Sequence, residues 1–462
     1  MLFNSPVTLN WSDKHNYLDP AASVAEVLSS VVRPNPLYES NSLFEPLLHE
    51  GERTADPPRQ RIIQGDNLSA LRWLVSAGYS EKIDLIYIDP PYLSQSNYHS
   101  RVLLTDGKQK EWLQRDVFKD NGIADLPTYL NHLYLRLILM RELLSSTGSI
   151  FVHLDWHACH YVKILLDEIF GVDNFINEIV WCYSGGSGSK RHFHRKHDII
   201  LWYGKGNNYT FNPQFRNYSE GTVQRGLTRV KGDRFRLHEE GALLQDWWTD
   251  INKILSPTAY ENLKFPTQKP TALLRRLIEC ASHPGGLIAD FYAGSGTLAQ
   301  VGEEAGRNWI SCDNNNVAVN TMIYRLLEMR SRDFRLDIMK NSEEPDADQP
   351  GFEIDGPHFA SAGKDGRWLE IGLKDYMPSM SDENKLKGDW AWPVLLDFWE
   401  IDTDYRGGCF NSCWQVIRPQ HHQYDSNITT RVRIPVSCQD SYNLAVRVHD
   451  IFGNVILKRV DH

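Results

Sequence analysis

The chain has 462 residues, of which 41% are hydrophobic and 23% charged, ordinary proportions for a globular protein and enough length for one large domain with one or two smaller ones. Its formal net charge of −10 excludes a general binder of polyanions, so any nucleic-acid site must be a local basic patch. Seven cysteines without a C-x-x-C pair argue against a disulfide framework or a cysteine zinc site. With no basic-then-apolar leader and no apolar run near ~18 residues, the expectation is a cytoplasmic chain with no membrane partner.

Residues 1–60 are polar and rich in Pro, Ser and Asn. They read as an arm wrapping the main domain or a partner, with residues 21–32 as one helix. Residues 61–64 read as a short strand ending in Gly65-Asp66-Asn67, after which Leu68, Leu71, Trp73 and Leu74 recur at helical spacing. Asp66 is then either the cap of that helix, worth about 1 kcal/mol, or a carboxylate at a strand end that binds a ribose or an adenine edge. Spacing does not separate the two.

The strongest signal is Asp84-Leu85-Ile86-Tyr87-Ile88-Asp89-Pro90-Pro91-Tyr92. Its apolar run reads as a buried strand of a parallel sheet. Pro90 and Pro91 fix φ and remove two backbone donors, so the ladder stops at Asp89. A rigid turn at a strand's carboxyl end is where open α/β sheets place their ligands. This one offers a carboxylate, stiff backbone carbonyls and an aromatic ring. The set suits a flat heterocycle with an exocyclic amine, whose two hydrogens need acceptors and whose ring needs a stacking face. Asp56-Pro57-Pro58 has no buried strand before it and reads as a plain turn.

Residues 93–127, with Tyr98, Arg101, Trp112 and Arg115, read as a long polar loop beside that pocket. Thr128 reads as the cap of a helix whose buried stripe is Leu130, Leu133, Leu137, Met140 and Leu144, ended by Gly148. Strands are expected at 149–153, 178–182 and 198–203, with a helix at 161–170. His157 and His160 have no third ligand at suitable spacing, so no metal is expected. The last two strands have no helix between them, which implies an antiparallel hairpin at one edge of the sheet. From Gly185 to Glu240 there are eleven Lys and Arg against five Asp and Glu, with aromatics interleaved. A charge run is usually a solvated face; in so acidic a chain this one reads as a nucleic-acid surface.

Pro266-Thr267-Gln268-Lys269-Pro270 opens a helix, and a helix N-terminus with a lysine is an anion site suited to a carboxylate. Residues 287–290 read as a buried strand running into Asp290-Phe291-Tyr292-Ala293-Gly294-Ser295-Gly296-Thr297, where a helix begins. The glycines let the backbone approach a ligand closely, and the spacing through Ala299 fits G-x-G-x-x-A. The next strand, 309–313, ends in Asp313, placed for ribose hydroxyls. These features alone do not separate a nicotinamide enzyme from an S-adenosylmethionine enzyme. Residues 341–357 carry six acids, three prolines and no base, an acidic linker. Residues 358–462 are dense in tryptophan and alternate with period two at 430–434 and 444–449, as in a small β-sandwich-like module.

D-P-P-Y at 89–92 resembles motif IV of the DNA amino-methyltransferases, and D-F-Y-A-G-S-G-T at 290–297 resembles their motif I. The order, with T-Q-K-P between the two, is similar to the β group, and G-D-N-L at 65–68 resembles the modification subunits of type III restriction systems. The resemblance implies an α/β fold: a Rossmann-like, S-adenosylmethionine-dependent methyltransferase sheet with an antiparallel edge hairpin over 61–340. Within it, 205–262 would be a target-recognition insert, followed by the linker and the C-terminal β-rich domain. The implied reaction is methyl transfer from S-adenosylmethionine to the N6 amine of adenine in duplex DNA, in a restriction-modification or phage-defence system. Asp89, Pro90, Pro91 and Tyr92 would be catalytic. Asp66, Lys269, Asp290, Phe291, Gly294, Gly296, Thr297 and Asp313 would hold the cofactor. Lys190, Arg191, Arg195, Lys196, Arg225, Arg229, Lys231 and Arg234 would bind DNA, with the 93–127 loop also facing it. Double-stranded DNA, a second copy in a homodimer and a restriction or helicase-nuclease subunit are the partners it admits. Cytosine-N4 methylation, RNA methylation, a nicotinamide oxidoreductase and an inactive binding module are the competing readings.

Overall fold

The computed structural model describes residues 8–11, 14, 25–37, 58–93, 97–119, 125–185, 190–227, 237–256, 259–339, 348–361, 366–419, 427–437 and 442–460. The larger half is built from strands Val27–Val32 (β1), Gln60–Gln64 (β2), Ile83–Ile88 (β3), Asn97–Thr105 (β4), Lys110–Lys119 (β5), Leu144–Leu154 (β6), Phe175–Cys182 (β7), His197–Gly204 (β8), Leu287–Asp290 (β9), Asn308–Asp313 (β10) and Phe334–Met339 (β11). Its helices are Asn67–Ser76 (α1), Leu126–Leu143 (α2), Cys159–Phe170 (α3), Thr271–Ala281 (α4), Thr297–Glu304 (α5) and Asn316–Glu328 (α6).

The main sheet has 11 strands, in the order 247–248, β7, β8, β6, β3, β9, β10, β2, β11, β1, 411–412. From β6 to β11 every neighbouring pair is parallel. β8 turns antiparallel against β6, and β7 against β8, the hairpin the missing helix implied, with only the two-residue strand 247–248 outside it. Both faces of the parallel part are covered. On β3, Leu85 and Tyr87 pack into one core with Ile288 and Leu277, while Ile86 and Ile88 pack into the other with Leu137 and Val152. Burial on both faces is why β3 reads as an unbroken apolar run rather than an alternating one.

Gly351–Ser361 (β12), Gly366–Met377 (β13), Leu396–Asp402 (β14), Trp414–Ile417 (β15), Arg431–Ser437 (β16), Ala445–Asp450 (β17) and Val455–Arg459 (β18) form two further sheets. One has three strands, β12-β13-β16, and the other five, 36–37-β15-β14-β17-β18. They share a core that includes Leu369, Ile371, Trp399, Val446 and, from the first half, Leu104 and Leu113.

Four local expectations change. Within 21–32, Val27–Val32 is a strand, not a helix, antiparallel to β11. Three valines favour the pleated surface, and the sheet edge offers them a ladder. Much of the 93–127 loop is the antiparallel hairpin β4–β5. The helix expected from Thr128 starts earlier, capped by Asp125, whose carboxylate accepts the Thr128 amide at 2.9 Å. It also stops at Leu143, before Gly148, because Leu144 already belongs to β6. The acidic linker gives way at Gly351, where β12 begins.

Candidate active site

The turns after β3 and β9 are neighbours, since these strands pair with Ile288 opposite Leu85 and Asp290 opposite Tyr87. They open into one cavity of about 590 Å³ lined by Asp66, Asp89–Tyr92, Lys269, Asp290–Ser295, Thr297 and Asp313. Sequence positions 66, 89, 269, 290 and 313 are thus brought to a single strand-end crevice, the ligand position of open α/β sheets.

On the β3 side, the Tyr92 hydroxyl donates to Asp89 Oδ1 and the Lys269 ammonium binds Asp89 Oδ2. Lys269 also lies 5.6 Å from the centre of the Tyr92 ring and is 9% exposed. The sequence casts it as an anchor for a cofactor carboxylate; in the structure its ammonium faces the Asp89 carboxylate instead. Burial, then the Asp89 charge, pushes the Tyr92 phenol well above its usual range, so Tyr92 stays a neutral donor and a stacking face. Beneath the turn, Tyr87 hydrogen-bonds His153 Nδ1 at 2.8 Å, and His153 Nε2 sits 3.4 Å from Asp198. Tyr183 donates to the other Asp198 oxygen at 2.8 Å. Tyr87 lines the cavity, and the buried His153 and Asp198 stand behind it.

On the β9 side, Gly294 has φ +50° and Gly296 φ +74°, the left-handed region that costs glycine least. A side chain at Gly294 would start 3.3 Å from the Phe265 ring, and one at Gly296 would collide with Met322. Asp313 accepts the Gly294 amide and the Asn315 amide, each at 2.9 Å. Burial pushes its carboxyl up to about 6. Burial pushes Asp290 well above the usual carboxylate range, although it accepts the Tyr292 amide at 2.9 Å. The Phe291 ring is in the core, and its carbonyl accepts from Asn67 at 2.8 Å. Thr297 donates to the Lys269 carbonyl at 3.3 Å and accepts from Arg325 at 3.1 Å, joining the starts of α4 and α5.

Of the two roles weighed for it, Asp66 takes the cap, and it also stands at the cavity wall. One oxygen caps α1 through the Ser69 amide at 3.0 Å, the other pairs with Arg136 at 2.8 Å, and the side chain lines the cavity. Arg136 and His132 had no sequence signal of their own, and Tyr292 was read only as part of the 290–297 motif. His132 sits 3.1 Å from the Tyr292 hydroxyl, and burial lowers it to about 4. Arg136 and His132 share one face of α2 four residues apart, a helical clue only once the helix is known to border the cavity.

Of the proposed DNA contacts, Lys190, Arg191, Arg195 and Lys196 lie just before β8. Leu154 pairs with Ile199, so this tip stands at the same sheet edge as Asp89. Arg195 lies 4.0 Å over the Trp156 ring, and Phe193 is 97% exposed. Arg225 is in the helix Glu220–Leu227, although its side chain is outside the described residues. Arg229, Lys231 and Arg234 lie outside the described residues altogether.

The chain is similar in sequence to several curated proteins. The type II methyltransferase M.EcaI of Enterobacter cloacae is 28% identical, over 57% of this chain and 68% of its own. The DNA adenine methyltransferase YhdJ of Escherichia coli is also 28% identical, over 57% of this chain and 82% of its own. The EcoP15I Mod subunit, from a type III restriction-modification enzyme of Escherichia coli, is 27% identical over 52% of this chain, which spans only 36% of it. The model of the DNA methylase family (N6_N4_Mtase) matches residues 83–324, from the first residue of β3 into α6, and the chain belongs to that family.

Proposed function

We propose that this chain methylates the N6 amine of adenine in duplex DNA, using S-adenosylmethionine. The observation that carries the reading is the shared cavity, where Asp89 and Tyr92 stand beside the glycine turn and Asp313. The residues fit such a cofactor: an acid for ribose hydroxyls, a turn at Gly294 and Gly296 without side chains, and a cavity that continues from Asp313 to the Asp89 carboxylate. S-adenosylmethionine supplies a methyl group made electrophilic by its sulfonium.

The protein's part is to present the amine. Asp89 and the Pro90 carbonyl accept hydrogen bonds from its N–H groups, and Tyr92 stacks on a base flipped out of the duplex. A carboxylate offers about four lone-pair sites, so the Tyr92 and Lys269 contacts leave sites for the amine. Holding nitrogen and methyl in line supplies the acceleration mainly through positioning. The flipped base needs a duplex held at this edge, and the basic tip at 190–196 is the surface we assign to it. The Mod relatives are named as subunits of type III restriction-modification enzymes, and pairing of this chain with a restriction subunit is the system-level counterpart of this proposal.

Incubation with tritiated S-adenosylmethionine and duplex DNA, followed by nucleoside analysis, tests the reading. Label in N6-methyladenine is expected. Label in N4-methylcytosine would keep the geometry and change the base; absence of transfer would remove the assignment.

A further inference from the structure

The hairpin β4–β5 leaves the catalytic turn only a few residues after Tyr92, yet it is held mainly by a part of the chain some three hundred residues away. One face of β5 reads Leu113, Arg115, Val117, every second residue, as a strand requires. Leu113 is buried in the C-terminal core together with Leu104 of β4. Arg115 donates to the Ile451 carbonyl at 3.0 Å and pairs with Asp397 at 3.3 Å. Val117 packs on Phe265, Val317 and Ala318, and both Val117 and Phe265 line the cavity. The same strand therefore runs from the C-terminal core to the pocket wall. Further hydrogen bonds fasten the hairpin's far end, where Trp390 donates to Glu111 at 3.1 Å and Gln109 to the Asp389 carbonyl at 3.0 Å.

A second link reaches the cofactor side independently. The Asp116 carbonyl accepts from Asn315 at 3.4 Å, two residues beyond Asp313. The turn after β17 packs on the same place: a side chain at Gly453 would start 3.0 Å from Asn316 and 3.1 Å from the Val317 amide. Behind it, His449 of β17 bonds Asn320 of α6 at 3.0 Å, and Tyr324 donates to the Arg418 carbonyl at 2.9 Å. The module thus grips both the hairpin and the helix that bound the Asp313 end of the cavity.

We propose that the C-terminal β-rich module is a positioning element of the cofactor site, holding Val117 and the Asp116 backbone against the adenosine end of S-adenosylmethionine. The inference rests on the methyltransferase reading. It assigns the module a task in donor binding, and makes Arg115 its principal link.

The test uses the full chain and S-adenosylhomocysteine as the probe. Arg115→Ala should weaken its binding by calorimetry about tenfold, and Asp397→Ala by less, since Arg115 keeps the Ile451 carbonyl. In turnover, KM for the donor should rise more than kcat falls, with KM for DNA unmoved, a split that general loosening of the fold would not give. Val117→Ala, inside the cavity and small enough to keep the hairpin, should weaken the probe without lowering the unfolding midpoint as far as Arg115→Ala does. Folded variants that bind the probe as tightly as wild type would overturn the inference while leaving the methyltransferase reading intact. Wild-type protein that binds no S-adenosylhomocysteine would overturn both.

Discussion

Two turns meet at the top of the sheet, and they solve opposite problems. After β3 the chain is stiffened by Pro90 and Pro91, and the side chains are the reagents: Asp89 receives Tyr92 and Lys269. After β9 the chain is opened by Gly294 and Gly296, and the backbone is the reagent: the Gly294 amide reaches Asp313 at 2.9 Å. Under the proposed function, a base is held rigidly by a few polar atoms on the first turn, whereas an extended cofactor is approached along its length by the second. Proline serves the first need by restricting φ, glycine the second by removing Cβ.

The division makes the two turns separable by mutation. The largest effect is expected on the stiff side. Asp89→Ala should lower methyl transfer by at least about a hundredfold, about 2.7 kcal/mol of barrier, while S-adenosylhomocysteine binding by calorimetry persists. Loss of both together would show that the two turns act as one site rather than two. On the open side, Gly294→Val should weaken S-adenosylhomocysteine by about tenfold, about 1.4 kcal/mol. Its Cβ meets Phe265 at 3.3 Å, and φ of +50° is one valine avoids. Calorimetry on the folded variant decides this, and an unchanged affinity would take the turn out of the cofactor site.

The smallest effect sharpens the contrast by moving off both turns. Replacing Lys190, Arg191, Arg195 and Lys196 together with alanine should leave S-adenosylhomocysteine affinity as it is and lower DNA affinity. The slope of log K against log salt should flatten by about 0.9 for each phosphate that the variant no longer neutralises. Binding titrations across salt concentrations read this directly. Relaxed sequence preference in the same variant would mean that part of the tip reads base edges; an unaltered slope would mean that it is only a solvated face.

Several residues that line the cavity were legible because proline and glycine act within a few residues. Asp89 and Asp313 stand where the strands before them end, and a strand buried on both faces announces itself by an unbroken apolar run. Lys269 was legible as a cation at the start of α4, but not as the partner of Asp89, because nothing local links residues 180 apart. Arg136 and His132 looked like ordinary polar positions on a helix until the cavity lay beside them.

The sequence by itself determined the turns, the parallel strands, the edge hairpin of β7 and β8, and the order in which the two motifs occur. The tertiary structure alone decided the fate of residues 27–32 and 97–119. The valines of Val27–Val32 favour extended backbone but do not name a partner, and the edge of β11 supplies the ladder. The 97–119 segment looked like a loop because its charges and aromatics alternate without a visible core to face. Its apolar face is satisfied by Leu104 and Leu113 packing among residues from 352 onward. Burial of an alternating strand is a property of its partner, and here that partner lies at the other end of the chain.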